Sequence, residues 1–278
     1  MTAPNRLTDS RIQLHYAIQG IASAGMALGT PRPDGSQIAA VWSPELNCFV
    51  GQPLIGARVV YVALEPVALT SLILDEQYRA IATLPLTHQS LPAMMDWHRA
   101  ELTRLGFRVP PLALLDYPAD FPVHPVAFGA PFGGTVAGDR QALSAYYAQS
   151  RLLLQGVVAA QAQASPLHIW PHHFDMATLI TVSGTGEWAR TIGVGLSPGD
   201  RSYDQPYWYV TPWPAPPPDT LPRLSLGAWQ IEGWVGAVLR ATDLDHKPPG
   251  PMQPVVQTFL DEAIEVCHAV LDSVVYGS

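Results

Sequence analysis

Charged side chains are scarce in this 278-residue chain, where Asp, Glu, Lys and Arg make up 14% of the residues against roughly 25% in a typical soluble domain. Only one of the 15 basic residues is a lysine, Lys247, and the net charge is −8. Nucleic acids and anionic membranes bind basic surfaces, so neither is expected as a partner. A Schiff-base mechanism would depend on Lys247, which lies in a proline- and glycine-rich stretch poorly suited to desolvating an amine.

Cysteines and long apolar runs are also few. Cys48 and Cys267 cannot build a disulfide framework or a four-thiolate zinc site. No window approaches the ~20 apolar residues that a membrane-spanning helix needs, and the polar N-terminus does not resemble a secretory signal. We therefore expect a cytoplasmic protein, and its 48% hydrophobic content is enough for a sizeable core.

Four amphipathic patterns predict helices, at about residues 9–28, 91–105, 139–165 and 256–274. Between them lie apolar runs that predict strands, namely Gln37–Trp42, Arg58–Glu65, Ala68–Leu74, Leu167–Val182, Thr191–Leu196, Pro206–Thr211 and Leu226–Leu239. Consecutive strands are joined by connections too short for helical crossovers, which favours antiparallel pairing. The predicted class is therefore α+β, with mainly antiparallel sheets.

The order helix, strands, helix occurs twice and predicts an internal duplication. Ile18-Gln-Gly in the first helix is echoed by Leu154-Gln-Gly in the third, although coincidence between alanine-rich helices is the alternative. The predicted division is an N-terminal half at 1–108, a connector at 109–138 and a C-terminal half at 139–278 that carries the candidate site. The connector is rich in proline and glycine but poor in charge, which is typical of ordered rather than flexible segments.

The most unusual segment runs from Ser165 to Ile180, where three histidines and a carboxylate fall within eight residues. Alternate residues of a regular strand share a face. His173 and Asp175 would then form a pair on one face, with His168 and His172 on the other.

Three interpretations of this segment stay open. His168, His172, His173 and Asp175 suit a zinc, iron or manganese site, with further ligands from His124, His246 or Asp200. The second is a metal-free acid–base pair in which Asp175 orients a catalytic His173. In the third, the imidazoles lie at a strand edge or satisfy buried backbone groups.

An aromatic stretch follows, in which Tyr207 and Tyr209 alternate with Trp208. Aromatic side chains with polar tips suit the wall of a small-molecule pocket, and a core strand is the alternative. Upstream, Gly195 to Gly199 has the glycine spacing of a nucleophile elbow. Pro198 would remove an N–H that an oxyanion hole needs, so a turn ending a strand is favoured.

The second half resembles a bacterial family of unknown function, numbered 5996, over roughly residues 140 to 220. The matching positions are Ser165, Pro166, His168, Phe174, Asp175, Gly195, Pro198, Gly199, Trp208, Tyr209, Pro214 and Pro216. His172 and His173 stand where the family has small residues. The resemblance implies an architecture and singles out His168 and Asp175, but it implies no reaction.

Together these patterns predict a pocket that binds a small polar molecule or a divalent metal. Its candidate ligand-binding residues are His168, Trp170, Tyr207 and Tyr209, beside the histidines and Asp175 described above. One hypothesis is a metal-assisted or histidine acid–base enzyme. The other is a non-catalytic ligand-binding or interaction protein, whose aromatic residues supply contact area.

Overall fold

The computed structural model describes residues 7–117, 121–244 and 252–273. These residues form two units. The first unit comprises the described residues up to 148 together with residues 168–174, and the second comprises residues 149–167 together with the described residues from 175 onward. The division falls inside a helix, and the described part of the 109–138 connector belongs to the first unit. The predicted halves at 1–108 and 139–278 stay a prediction.

The first unit packs helices against one antiparallel sheet. Its elements are α1 (Thr8–Ala17), α2 (Gln19–Leu28), β1 (Ala40–Ser43), β2 (Cys48–Gly51), β3 (Leu54–Ile55), β4 (Val59–Glu65), β5 (Thr70–Asp75), β6 (Ala80–Pro85), α3 (Leu91–Arg104) and β7 (His168–Trp170). The strand order is β7-β1-β2-β4-β5-β6, with β3 beside β4. Helix α2 packs on β2 and β4, and α3 lies against α2 and β6.

The second unit is a five-stranded antiparallel sheet with a long helix packed on it. It contains the end of α4 (Ala137–Ala160), then β8 (Asp175–Ser183), β9 (Arg190–Ser197), β10 (Tyr207–Trp213), β11 (Ala228–Gln230), β12 (Gly236–Arg240), α5 (Ala241–Leu244) and α6 (Met252–Ser273). The strand order is β8-β9-β10-β12-β11, and α6 packs on β9, β10 and β12.

The α+β prediction is confirmed, since the strand pairs are antiparallel and helices flank them. The first helical pattern contains two helices, α1 and α2, because the α-helix is interrupted at Ile18. The internal duplication stays a prediction. Among the described residues no helix is both long enough and apolar enough to cross a bilayer.

Residue alternation divides the second unit's sheet into a buried and a more open face. The buried face is apolar and carries Met176, Ile180, Ile192, Val194, Leu196, Trp208, Val210 and Leu239. Trp208 is fully buried, and its indole N–H donates to Ser150 Oγ of α4 at 2.9 Å. Tyr207 and Tyr209 therefore point to the opposite face.

Two buried histidines in the first unit are hydrogen-bonded as neutral rings. His98 of α3 contacts the Met94 carbonyl oxygen through Nδ1 at 2.9 Å and Ser71 Oγ through Nε2 at 2.7 Å. His15 of α1 donates from Nε2 to the Pro171 carbonyl oxygen at 2.8 Å. Burial lowers the pKa of His98 to about 4 and that of His15 to about 3, because the charged imidazolium is poorly solvated there.

We expect the free energy of unfolding to decrease as the pH falls from 7 to 5. In the unfolded chain these imidazoles take up a proton near pH 6.5, whereas in the folded chain they resist it until about pH 4 and pH 3. Each contributes a loss of about 2 kcal/mol at pH 5. Urea unfolding at several pH values measures this loss.

His98→Gln, which removes one of these titrations, is expected to reduce the loss between pH 7 and pH 5 by about 2 kcal/mol. His268→Gln makes the same substitution on α6 and is the matched control. A wild-type slope in His98→Gln would contradict the assignment of the loss to this imidazole.

Candidate functional site

The histidine segment is not one regular strand, so the prediction of a strand over Leu167–Val182 is wrong. Residues 171–174 form a turn between β7 and β8. Phe174 has a φ of +57° and donates its backbone N–H to the Trp170 carbonyl oxygen at 2.7 Å. The alternation that placed His173 and Asp175 on one face therefore does not hold across the turn.

Side chains of the first unit hold this turn at two carbonyl oxygens. The Pro171 carbonyl accepts hydrogen bonds from His15 Nε2 at 2.8 Å and from Gln19 Nε2 at 2.9 Å. The Phe174 carbonyl accepts one from the Tyr147 hydroxyl at 2.5 Å. The Phe174 ring is fully buried and packs 5.4 Å from the His15 ring. The turn is a packed element of the first unit.

The predicted imidazoles differ in their surroundings. His168 is 6% exposed, its ring lies edge-on to Trp170 with centroids 5.6 Å apart, and its Nδ1 has no hydrogen-bond partner among the described residues. Burial lowers the pKa of His168, and the Asp34 carboxylate partly opposes this effect. His172 and His173 lie in the turn with ring centroids 4.6 Å apart, and His173 is exposed.

The structure does not assemble the predicted metal ligands. Within 7–117, 121–244 and 252–273, no three His, Cys, Asp or Glu side chains form a group able to hold an ion. His168, His172, His173 and Asp175 therefore do not provide such a group. Of the further ligands considered, His124 contacts Asp9 at 3.0 Å, and His246 lies outside the described residues.

Tyr209 and Asp175 come together in the second unit. The phenol O–H of Tyr209 donates to Asp175 Oδ2. Tyr209 of β10 pairs with Gly195 of β9, which pairs with Ala177 of β8. A Cβ atom on Gly195 would lie 2.6 Å from Cζ of Tyr209. The phenol therefore crosses β9 in the space that Gly195 leaves open and reaches the first residue of β8.

A second tyrosine–carboxylate pair lies beside the first. The Tyr207 hydroxyl donates to Asp200 Oδ2 at 2.5 Å, and the Tyr207 and Tyr209 ring centroids are 6.1 Å apart. Asp200 Oδ1 also accepts from the backbone N–H groups of Ser202 and Tyr203, at 2.7 and 3.1 Å. The turn that follows β9 therefore brings the Asp200 carboxylate within hydrogen-bond distance of Tyr207 on β10. A turn that ends a strand is what the sequence Ser197-Pro-Gly-Asp200 predicts.

Two further aromatic side chains border Tyr207. The Tyr203 ring lies 5.0 Å from it and donates its hydroxyl to Gln230 Oε1 at 2.7 Å. The Trp234 ring stacks at 6.4 Å and donates its indole N–H to Ser202 Oγ at 3.3 Å. Tyr207 itself is 3% exposed, whereas Tyr203 and Trp234 are half-buried. We call this group the tyrosine face; its members are Asp175, Asp200, Tyr203, Tyr207, Tyr209 and Trp234.

The phenols of this face stay protonated at neutral pH. Burial raises the pKa of Tyr207, and the Asp200 carboxylate adds to that effect. Burial also raises the pKa of Tyr209, helped by the Asp175 carboxylate. A phenolate beside a carboxylate would place two negative charges together in a poorly solvated environment, which keeps each proton on its phenol.

The sequence predicted three members of this face, namely Asp175, Tyr207 and Tyr209. His168, Trp170, His172 and His173 belong instead to the first unit. The sequence predicts Asp200 only as a possible further metal ligand and does not predict its contact with Tyr207. Asp200 directly follows Pro198-Gly199 and lies seven residues before Tyr207. This arrangement was the signal available, because a Pro-Gly turn folds the chain back on itself.

No family model, curated protein or solved structure matches this chain. The resemblance to the bacterial family of unknown function therefore stays a prediction.

We expect Gly195→Ala to lower the free energy of unfolding by about 1–3 kcal/mol, because the added methyl group forces the Tyr209 phenol to move. Gly156→Ala is the matched control, since a Cβ at this α4 position meets nothing within 4 Å. Replacing a helical glycine there should instead stabilise the protein by about 0.5–1 kcal/mol. Urea unfolding compares the two, and equal effects would contradict the packing of Tyr209 over Gly195.

Proposed function

We propose that this protein binds a small polar molecule at the tyrosine face of its second unit. The observation that carries the proposal is the pair of neighbouring phenols, each of which donates a hydrogen bond to a carboxylate. A phenol oxygen that has donated its hydrogen still has lone pairs to accept hydrogen bonds from a ligand. Tyr203, Tyr209 and Trp234 are half-buried, as expected for a wall that a ligand contacts from solvent.

Binding without catalysis is the function that this chemistry favours. A general acid or base works best with a pKa near the operating pH, whereas the pKa of Tyr207 and that of Tyr209 are raised away from it. The acid–base hypothesis depended on His173 and Asp175 sharing a strand face, and the turn at 171–174 removes that premise. The tyrosine face offers acceptors and aromatic contact area.

The cytoplasm remains our proposed compartment for the protein. Cys48 and Cys267 are free thiols and both are buried, which is compatible with a reducing environment. Burial raises the pKa of each to about 12. These thiols therefore carry no part of the proposed function.

Thermal unfolding with a defined panel of compounds tests the proposal. The panel consists of 1,4-diaminobutane, guanidinium, 1,4-butanediol, glucose and acetate, each at millimolar concentration. At least one compound should raise the Tm of the wild-type protein, because a ligand that binds only the folded state stabilises it. Tyr209→Phe, which deletes one phenol oxygen, should lose most of that increase.

Tyr61→Phe in the first unit is the matched control, since it removes a phenol oxygen outside the tyrosine face. It should retain the full increase in Tm. No increase with any compound, or an equal increase in Tyr209→Phe and wild type, would contradict binding at this face.

A further inference from the structure

The polar groups of the tyrosine face are arranged to receive hydrogen bonds. The Tyr207 and Tyr209 hydroxyl hydrogens are directed at Asp200 and Asp175. An ionised carboxylate has no hydrogen to donate, and a phenol oxygen whose hydrogen is engaged can only accept. The phenols and carboxylates therefore select a ligand that brings its own donors.

The electrostatics of this face are negative. Asp175 and Asp200 are the charged groups that act most strongly on Tyr207, and both raise its pKa. Arg240 lies opposite Tyr207 on β12 and opposes the rise in the pKa of Tyr203, but its guanidinium donates to both oxygens of Asp243 at 2.8 and 3.1 Å. Arg201 follows Asp200 in the exposed turn. Asp243 thus offsets the charge of Arg240, and the two carboxylates of the face remain as its anionic groups.

Aromatic rings border Tyr207, which is hydrogen-bonded to Asp200. The Tyr203 and Trp234 ring centroids lie 5.0 and 6.4 Å from the centroid of the Tyr207 ring. The faces of tyrosine and tryptophan rings attract cations through their quadrupoles. Rings and carboxylates therefore favour the same sign of ligand charge.

We propose that the ligand of the tyrosine face is a small organic cation with N–H donors, an alkylammonium or a guanidinium group. This inference rests on the proposed function and specifies its ligand class. The N–H groups donate to the phenol oxygen of the half-buried Tyr209, Asp175 and Asp200 supply the opposite charge, and the rings of Tyr203 and Trp234 contact the cation.

Isothermal titration calorimetry with three probes of related size tests the ligand class. The probes are 1,4-diaminobutane, its neutral counterpart 1,4-butanediol, and tetramethylammonium, which is a cation without N–H donors. We expect 1,4-diaminobutane to bind at least tenfold more tightly than either of the other two. This comparison uses the wild-type protein and does not depend on any variant folding.

Asp175→Asn tests the origin of the selectivity, because the amide keeps an oxygen that accepts from Tyr209 but removes the charge. It should weaken binding of 1,4-diaminobutane at least tenfold. Asp261→Asn on the exposed surface of α6 makes the same change in net charge and should alter the affinity less than twofold.

The outcomes separate this inference from the proposed function. Equal affinity for 1,4-butanediol and 1,4-diaminobutane, with both lost in Tyr209→Phe, would overturn the cation and leave the binding face standing. Tetramethylammonium binding as tightly as 1,4-diaminobutane would overturn the requirement for N–H donors. Binding of none of the three probes would overturn the ligand class, while a response to glucose or acetate in the thermal panel would preserve the proposed function.

Discussion

The buried indole of Trp208 determines what strand β10 presents on its other side. It lies in the apolar layer beneath α6, and its N–H donates to Ser150. Rotating the strand would expose this large ring and turn the phenol hydroxyl groups of Tyr207 and Tyr209 into the apolar layer. Because side chains alternate along a strand, Tyr207 and Tyr209 must then lie together on the opposite face. The proposed binding chemistry follows from this one orientation.

Gly195 on the neighbouring strand leaves the space in which the Tyr209 phenol reaches Asp175. A Cβ atom at Gly195 would lie 2.6 Å from both Cζ and the hydroxyl oxygen of Tyr209, so the phenol that donates to Asp175 would have to shift. The Asp200 carboxylate is fixed in a different way, by backbone N–H groups of its own turn. Each phenol thus meets a carboxylate whose position is set by backbone geometry, which limits the rearrangement needed when a ligand binds.

The histidine segment illustrates how a local pattern misleads. Read as an unbroken strand, it brought imidazoles and a carboxylate onto shared faces. In the structure Phe174 adopts a left-handed conformation and its ring enters the core beside His15, and the burial of that ring outweighs the strain of its backbone. The side chains on the two sides of the turn therefore follow separate alternations, and the metal and acid–base interpretations lose their geometric basis.

The amino-acid sequence by itself determined the four long helical segments, the strands β1, β4, β5, β9 and β10, and the α+β class. These depend on periodicities of 3.6 and 2 residues, which are local properties of the chain. It also singled out Asp175, Tyr207 and Tyr209 as unusual. Only the tertiary structure decided that Tyr209 reaches Asp175 and Tyr207 reaches Asp200. Strand register and turn conformation set those contacts, and both depend on packing between residues distant in the chain.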